Sequence, residues 1–127
     1  MIDEYLDHFN TEAAQAINER DWDAYGDLFS EDLVMQTPSL PGISKGREAR
    51  VALVKGIMDA FPDGNVEMVR SFGQGDWACL EVRFTGTAAV SDGEEAPVTV
   101  DFPYCIVMRF EDGKVAELNE YYDQLGM

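Results

Sequence analysis

Four side chains suited to acid/base chemistry fall on two short segments near the C-terminus. Asp123 supplies a carboxylate, Tyr104 and Tyr121 supply phenols, and Asn119 supplies a carboxamide. Removing a proton beside a carbonyl needs a base, for which a carboxylate can serve, together with hydrogen-bond donors for the oxygen that becomes negative. These residue types are able to do acid/base chemistry, and the large apolar residues predicted to share their face suit a pocket wall better than a plain core. The alternative is a solvent-facing Asp123 close to a fraying chain end.

The two segments are predicted to pair as strands around a tight turn at Asp112-Gly113, because glycine tolerates the positive φ of a two-residue hairpin loop. If Glu111 and Lys114 flank the turn, counting outward fixes the register, and side chains alternate between two faces. An unpaired, buried Glu117 would be costly, so either this residue lies at the open end of the sheet or the register fails there. One face is predicted to hold Phe102, Tyr104, Ile106, Met108, Glu117, Asn119, Tyr121 and Asp123.

The rest of the chain must place helices against that face. Apolar residues at helical spacing predict helices over residues 3–19, from an N-cap at Asp21 to residue 29, and over residues 47–61. Strands are predicted over residues 33–37, 66–72, 77–87, 98–110 and 114–123, with loops at 38–46 and 91–96. The pattern predicts one domain, residues 1–127, of the α+β class: helices packed on one face of a curved antiparallel sheet.

The second long hairpin fixes the faces of the middle strands. With its turn centred near Asp92, residues 80, 82 and 84 meet residues 104, 102 and 100 on the inner face, and a shift by two remains open. The outer face then pairs Arg83 with Asp101 and Cys79 with Cys105. It also carries Trp77, Val107, Leu118 and Tyr122, which predicts a homodimer through this face. The alternative is a scattering of single exposed apolar residues.

Composition excludes several classes of function. The chain has 127 residues, 46% hydrophobic residues and a net charge of −16, so it is expected to repel nucleic acid and anionic membranes. No apolar run approaches the ~20 residues of a membrane span, and the acidic start lacks signal-peptide character, so a cytoplasmic location is expected. The two cysteines and one histidine do not have zinc-site spacing, and no cofactor motif occurs.

Three stretches carry a resemblance to a known family: INERDWDAYGDLFSEDLVMQTP, FPDGNVEMVRSFGQGDWACLEVRFTGT and VMRFEDGKVAELNEYYDQLGM. In their order and spacing they resemble the SnoaL-like polyketide cyclases of the nuclear transport factor 2-like superfamily. The resemblance covers nearly the whole chain. It implies a cystatin-like, cone-shaped sheet wrapped around three N-terminal helices, with an apolar pocket between them and dimers formed through the sheet.

The resemblance transfers residue roles only in part. The cyclases use an aspartate near the end of the last strand as acid/base, and Asp123 stands at that place. At the positions that match the catalytic residues of the ketosteroid isomerases, this chain has Ala14, Thr37 and Ile106. None of the three is the residue type that the isomerases use. The Asp-Arg-Asp set of the limonene epoxide hydrolases finds its nearest matches in Arg83 and Glu120, which the register above places on the outer face.

Two functions follow as hypotheses. The first is an enzyme of the lyase or isomerase class, needing no cofactor or metal, that acts on an apolar, carbonyl-bearing molecule through Asp123. The second is a non-catalytic dimeric domain that binds a small molecule in the same pocket. A few polar contacts in an apolar wall suit either hypothesis. The residues predicted to bind the ligand are Trp22, Phe29, Met35, Thr37, Phe102, Tyr104, Ile106, Asn119 and Tyr121.

Overall fold

The computed structural model describes residues 2–88 and 98–123, which form three helices and six strands. The second helix ends at Gly26 rather than residue 29, and a two-residue strand interrupts the predicted loop at 38–46. The predicted loop at 91–96 lies outside the described residues. In chain order the elements are α1 (Ile2–Glu19), α2 (Trp22–Gly26), β1 (Phe29–Gln36), β2 (Ser44–Lys45), α3 (Arg47–Ala60), β3 (Asn65–Gln74), β4 (Trp77–Thr87), β5 (Thr99–Glu111) and β6 (Lys114–Tyr121).

The strands form one curved, unclosed sheet in the order β2-β1-β6-β5-β4-β3, which confirms the predicted α+β class. Strands β3 to β6 follow one another as antiparallel neighbours, as predicted. The sequence pattern did not predict the place of β1, which pairs parallel to β6. This pairing brings the start of the sheet beside its C-terminal strand, although the two strands lie near opposite ends of the chain.

The helices lie against the inner face of this sheet. Helical spacing gathers apolar residues on one side of α1, and the buried ones are Leu6, Phe9, Ala13, Ala16 and Ile17. Asp21 caps α2 as predicted, with its Oδ1 accepting a hydrogen bond of 3.2 Å from the Ala24 N–H. No helix in the described part of the chain is both long and apolar enough to cross a bilayer. The sheet side of the core includes Leu80, Val82, Phe84, Ile106, Met108, Phe110, Val115 and Leu118.

The β5–β6 turn has the predicted geometry at its tip. Asp112 and Gly113 adopt φ angles of 53° and 81°, as a two-residue turn of this kind requires. Counting outward is correct as far as the pair Phe110–Val115. Beyond that pair a β-bulge adds one unpaired residue, Ala116, to β6.

The bulge makes the predicted faces of β6 wrong by one residue. Ile106 lies opposite Glu120, and Met108 lies opposite Leu118, so Leu118 and Glu120 are on the inner face. Glu117, Asn119 and Tyr121 are on the outer face, whereas the prediction had placed all three inside. A single extra residue reverses every later side chain, because strand side chains alternate with a period of two.

The β4–β5 pairing keeps the predicted faces and differs from the predicted partners by two residues. Val82 lies opposite Tyr104, and Cys79 lies opposite Val107 rather than Cys105. Arg83 and Asp101 are diagonal neighbours, and they still form the predicted ion pair, with 2.6 Å between Nε and Oδ1. The long connection had left room for this shift.

The register of β6 can be tested by two neighbouring alanine substitutions. Leu118 is fully buried, so Leu118→Ala is expected to lower the free energy of unfolding by about 2–5 kcal/mol. Asn119→Ala is expected to change it by no more than about 0.5 kcal/mol, because Asn119 faces outward. Urea denaturation followed by circular dichroism measures both. Equal losses of unfolding free energy, or a larger loss for Asn119→Ala, would contradict the bulge and support the hairpin register predicted without it.

Candidate functional site

A cavity of about 610 Å³ lies between α3 and the inner face of the sheet. Its walls are almost wholly apolar, and its polar side chains gather at Arg50, Tyr104, Glu120 and Tyr122. Such a volume suits a drug-sized ligand, and few polar groups among apolar walls are typical of ligand sites. The main apolar lining residues are Leu53, Ile57, Met58, Phe61, Val66, Phe84, Val100 and Phe102.

Helix α3 supplies one wall and the positive charge. Arg50, Val54 and Met58 recur at a spacing of four and are buried, so they share one side of the helix. Arg50 is 2% exposed although it is charged, and it points into the polar end of the cavity. Buried arginines are rare unless they are paired.

The guanidinium of Arg50 is held by three elements. Its Nη2 lies 3.0 Å from Oε2 of Glu120 on β6, and its Nε donates a hydrogen bond of 3.0 Å to the Tyr25 hydroxyl on α2. Its Nη1 lies 3.9 Å from the Met35 sulfur on β1. The planar fork of donors allows these contacts at once, so Arg50 joins the helices to the sheet.

Glu120 is the carboxylate of this cluster, and both its oxygens accept hydrogen bonds. Oε2 accepts from Arg50, and Oε1 accepts a hydrogen bond of 2.8 Å from the Thr37 hydroxyl. Thr37 directly follows β1, whose last residue, Gln36, lies opposite Asn119 in the parallel pair. Two features of the sheet therefore build the site: the bulge turns Glu120 inward, and the parallel pairing brings Thr37 beside it.

The charges of this cluster act on the neighbouring tyrosines. Burial raises the pKa of Tyr104, and the negative charge of Glu120 raises it further against the opposing charge of Arg50. Burial also raises the pKa of Tyr25, against the lowering effect of the Arg50 charge and of the hydrogen bond that Arg50 donates to its hydroxyl. Burial alone would lower the pKa of Arg50, but the charge of Glu120, the neighbouring tyrosines and the hydrogen bond to Glu120 together outweigh it, and the pKa lies well above its usual value. Tyr104 is therefore a neutral phenol beside the Arg50–Glu120 ion pair.

The polar end is bordered by the segment after β6. The Tyr122 ring lies against that of Phe102, with 6.3 Å between centroids, and both line the cavity. The hydroxyls of Tyr122 and Ser39 are hydrogen bonded to each other. The loop that follows β1 thus contacts this rim through Ser39.

The family profile for the SnoaL-like domain matches residues 10–118, which is most of the chain. This protein belongs to the SnoaL-like family. The resemblance stated from the sequence is thereby confirmed.

Solved structures agree with this family at the level of the fold. The SnoaL-like protein is similar to a proposed polyketide cyclase from Xanthomonas campestris, at 18% identity and a TM-score of 0.79, over 96% of this chain and 93% of that chain. It is also similar to an epoxide hydrolase from M. tuberculosis, at 18% identity and a TM-score of 0.71, over 94% of this chain and 84% of that chain. A third similar structure is a Catenulispora acidiphila protein with a ketosteroid isomerase-like fold. It has 19% identity and a TM-score of 0.74, over 93% of this chain and 87% of that chain. No curated protein matches by sequence.

The structure brings only two of the predicted site residues, Phe102 and Tyr104, to the cavity wall. Asp123 lies two residues beyond the end of β6, is exposed, and does not line the cavity. Asn119 and Tyr121 lie on the outer face, because the bulge moved them there. The catalytic role of Asp123 stays a prediction, but the inner-face position on which it depended is wrong.

The other predicted ligand residues either contact the Arg50–Glu120 pair outside the cavity or lie in other parts of the structure. Thr37 bonds Glu120 and Met35 contacts Arg50, so both act on the cluster rather than the cavity. Phe29 and Ile106 are buried in the core. Trp22 packs edge-to-face on Tyr25, with 6.2 Å between ring centroids.

Sequence reasoning missed Arg50 and Tyr25, and it placed Glu120 and Tyr122 on the outer face, whereas both line the cavity. One signal was present for Arg50, which falls four residues before Val54 on the buried side of an amphipathic helix. A charged residue at such a position predicts a buried partner. The partner itself could not be found, because the bulge at Ala116 has no signature in the residue types around it.

The raised pKa values of Tyr25 and Tyr104 predict a loss of stability in alkali. Both groups stay protonated in the folded chain above pH 10.0, their ordinary pKa, where the unfolded chain releases the protons. The resulting stability is complete below that pH and is lost as the pH rises above it, by up to about 1.4 kcal/mol per pH unit for each group. Tyr104→Phe is expected to make this decline shallower in urea denaturation.

The matched control for that measurement is Tyr121→Phe, which removes an exposed hydroxyl from the other face. An unchanged decline for Tyr104→Phe would contradict the electrostatic account of the cluster.

Proposed function

We propose that this SnoaL-like protein is a cofactor-independent acid/base enzyme of the lyase or isomerase class. Its substrate is an apolar small molecule that carries a carbonyl. The observation that supports this most directly is the pairing of a carboxylate, Glu120, with a neutral phenol, Tyr104, at the polar end of an otherwise apolar cavity. Among the described residues that line the cavity, Glu120 is the only carboxylate.

In the proposed chemistry Glu120 transfers the proton, and Tyr104 and Arg50 stabilise the intermediate. Glu120 takes a proton from the carbon beside the substrate carbonyl, and the electron pair of that C–H bond moves toward the carbonyl oxygen. Tyr104 donates a hydrogen bond to the enolate oxygen, and the charge of Arg50 stabilises it. The proton then returns from Glu120 to carbon or to a new alkoxide, which completes an isomerisation or an aldol closure.

The walls support an apolar substrate body. Aliphatic and aromatic side chains surround nearly all of the cavity, so burying a hydrocarbon skeleton there is favourable, by about 25 cal/mol for each Å² of apolar surface. Distant relatives named as a proposed polyketide cyclase and an epoxide hydrolase have the same fold. Their chemistries differ, so the fold supports a class of site rather than one substrate.

A second candidate function is binding without catalysis, and one observation favours it. Both oxygens of Glu120 already accept hydrogen bonds within the protein, from Thr37 and Arg50. A structural ion pair that closes one end of a binding cavity has the same arrangement.

Proton exchange separates the two candidates. With acetylnaphthalene in deuterated buffer, the enzyme is expected to exchange the methyl protons beside the carbonyl, followed by NMR. Glu120→Gln is expected to slow exchange by about 10²–10⁴-fold, because the base is lost. Glu117→Gln, on the same strand and the opposite face, is the matched control and keeps the wild-type rate. Binding without exchange supports the non-catalytic candidate.

Asp123→Asn belongs in the same experiment, since the sequence predicts Asp123 as the acid/base group. Loss of exchange in Asp123→Asn with full exchange in Glu120→Gln would favour Asp123 and contradict the role proposed for Glu120.

We also propose that two copies associate through the outer face of the sheet. Phe72, Cys79 and Val107 form a continuous row across three strands there, and Trp77 is 42% exposed beside them. A second copy of a chain with net charge −16 is repelled over most of its surface. Part of the negative charge of the outer face is compensated, because its arginines pair with carboxylates as Arg70–Glu81, Arg83–Asp101 and Arg109–Glu111. This face is therefore the most favourable one for self-association.

Val107→Glu is expected to convert the dimer to a monomer in sedimentation velocity experiments, because it places an unpaired charge at the centre of the face. Ile43→Glu, which adds the same charge at an exposed apolar residue outside the sheet face, is the control and stays dimeric. A monomeric wild-type protein at micromolar concentration would contradict the proposed association.

A further inference from the structure

The polar end of the cavity has a balanced charge. Arg50 and Glu120 are both buried and in contact at 3.0 Å, so their charges cancel within the protein. Tyr104 beside them is neutral, as its raised pKa indicates. A ligand that enters this end therefore meets no net charge. A carboxylate placed there would come close to Glu120 with the positive charge of Arg50 already in use, and burying such an uncompensated charge is costly.

The same end still has hydrogen-bond donors to offer. A guanidinium carries five N–H groups, and Arg50 uses three of them, toward Tyr25, Met35 and Glu120. The Tyr104 hydroxyl forms no hydrogen bond with another side chain in the described part of the chain. The acceptor sites of Glu120 are largely occupied by Thr37 and Arg50. The cavity thus offers donors to a ligand oxygen and requires no charge from it.

The Tyr104 hydroxyl is positioned to donate a hydrogen bond to a ligand. It lies two residues from Ile106 on β5, and Ile106 is directly opposite Glu120, so Tyr104 and Glu120 are diagonal neighbours on the inner face. Val82 packs on its other side. The Tyr104 side chain therefore stands on the inner face between Val82 and the Arg50–Glu120 ion pair, where it lines the cavity.

We propose that the Arg50–Glu120 ion pair makes the cavity selective for neutral carbonyl ligands over carboxylates of the same size, and that Tyr104 recognises the ligand oxygen. The inference concerns the cavity of the proposed function and deepens it by defining the substrate class. It does not require turnover, because it concerns binding alone.

The ion pair gives this selectivity a specific consequence. Glu120→Gln keeps the size of the side chain and removes its charge, which leaves the positive charge of Arg50 uncompensated. The variant cavity should then prefer a carboxylate, because the ligand supplies the charge that Glu120 no longer does. A cavity that selects by shape alone would show no such reversal.

Three probes of matched size test the proposal by isothermal titration calorimetry: acetylnaphthalene as the ketone, naphthoate as the carboxylate and isopropylnaphthalene as the hydrocarbon. The wild-type protein is expected to bind the ketone about tenfold or more tightly than naphthoate. Glu120→Gln is expected to reverse that order, and Glu117→Gln is expected to keep it. Equal affinity of the wild type for ketone and naphthoate would overturn the proposal, as would an unchanged order in a folded Glu120→Gln variant.

Tyr104→Phe provides a second test if Glu120→Gln does not fold. It is expected to weaken ketone binding about tenfold and to leave isopropylnaphthalene binding unchanged, because only the ketone loses a hydrogen bond. Equal losses for both probes would overturn the role of Tyr104. Tyr121→Phe, on the outer face, is the matched control.

The outcomes distinguish this inference from the proposed function. Selective binding of the ketone without proton exchange would refute the enzyme and keep the selectivity. Exchange with equal binding of ketone and naphthoate would refute the selectivity and keep the enzyme. Absence of binding for all three probes would refute both.

Discussion

Two opposite charges buried in contact, Arg50 and Glu120, connect nearly every part of this molecule that bears on function. The guanidinium extends from α3 and reaches a tyrosine of α2, a methionine of β1 and the carboxylate on β6. Burying either charge alone would be strongly unfavourable, so the two elements that carry them must meet. The ion pair therefore restricts how the helices can be placed on the sheet, and it forms the polar end of the cavity between them.

The ion pair depends in turn on a local irregularity of the sheet. Without the extra residue at Ala116, β6 would present Asn119 inward and turn Glu120 toward solvent, leaving Arg50 unpaired. The bulge turns the Glu120 side chain inward, and bulges that redirect a side chain in this way are common near active sites. The parallel pairing of β1 with β6 completes the arrangement, because it brings the Thr37 hydroxyl to the second oxygen of Glu120.

The cavity combines this polar end with walls that have almost no polarity. Along α3 and the inner face of β4 and β5, the same apolar periodicity that forms the core also forms the lining, so the cavity is a part of the core that the helices leave unfilled. The charge balance at its polar end and the neutral Tyr104 give the cavity a chemical character that the fold alone does not supply. Relatives with the same fold and under 25% identity therefore say little about the ligand.

The sequence by itself determined the family, the α+β class, the buried side of α1, the Asp21 cap and the Asp112-Gly113 turn. Each of these rests on residues close together in the chain: an apolar period, a capping side chain, or a glycine that tolerates positive φ. It also determined the faces of β4 and β5, because alternation survives a shift of two residues. Only the tertiary structure decided the faces of β6, the parallel β1–β6 pair and the meeting of Arg50 with Glu120. These depend on one inserted residue and on contacts between distant segments, and neither produces a local pattern in the chain.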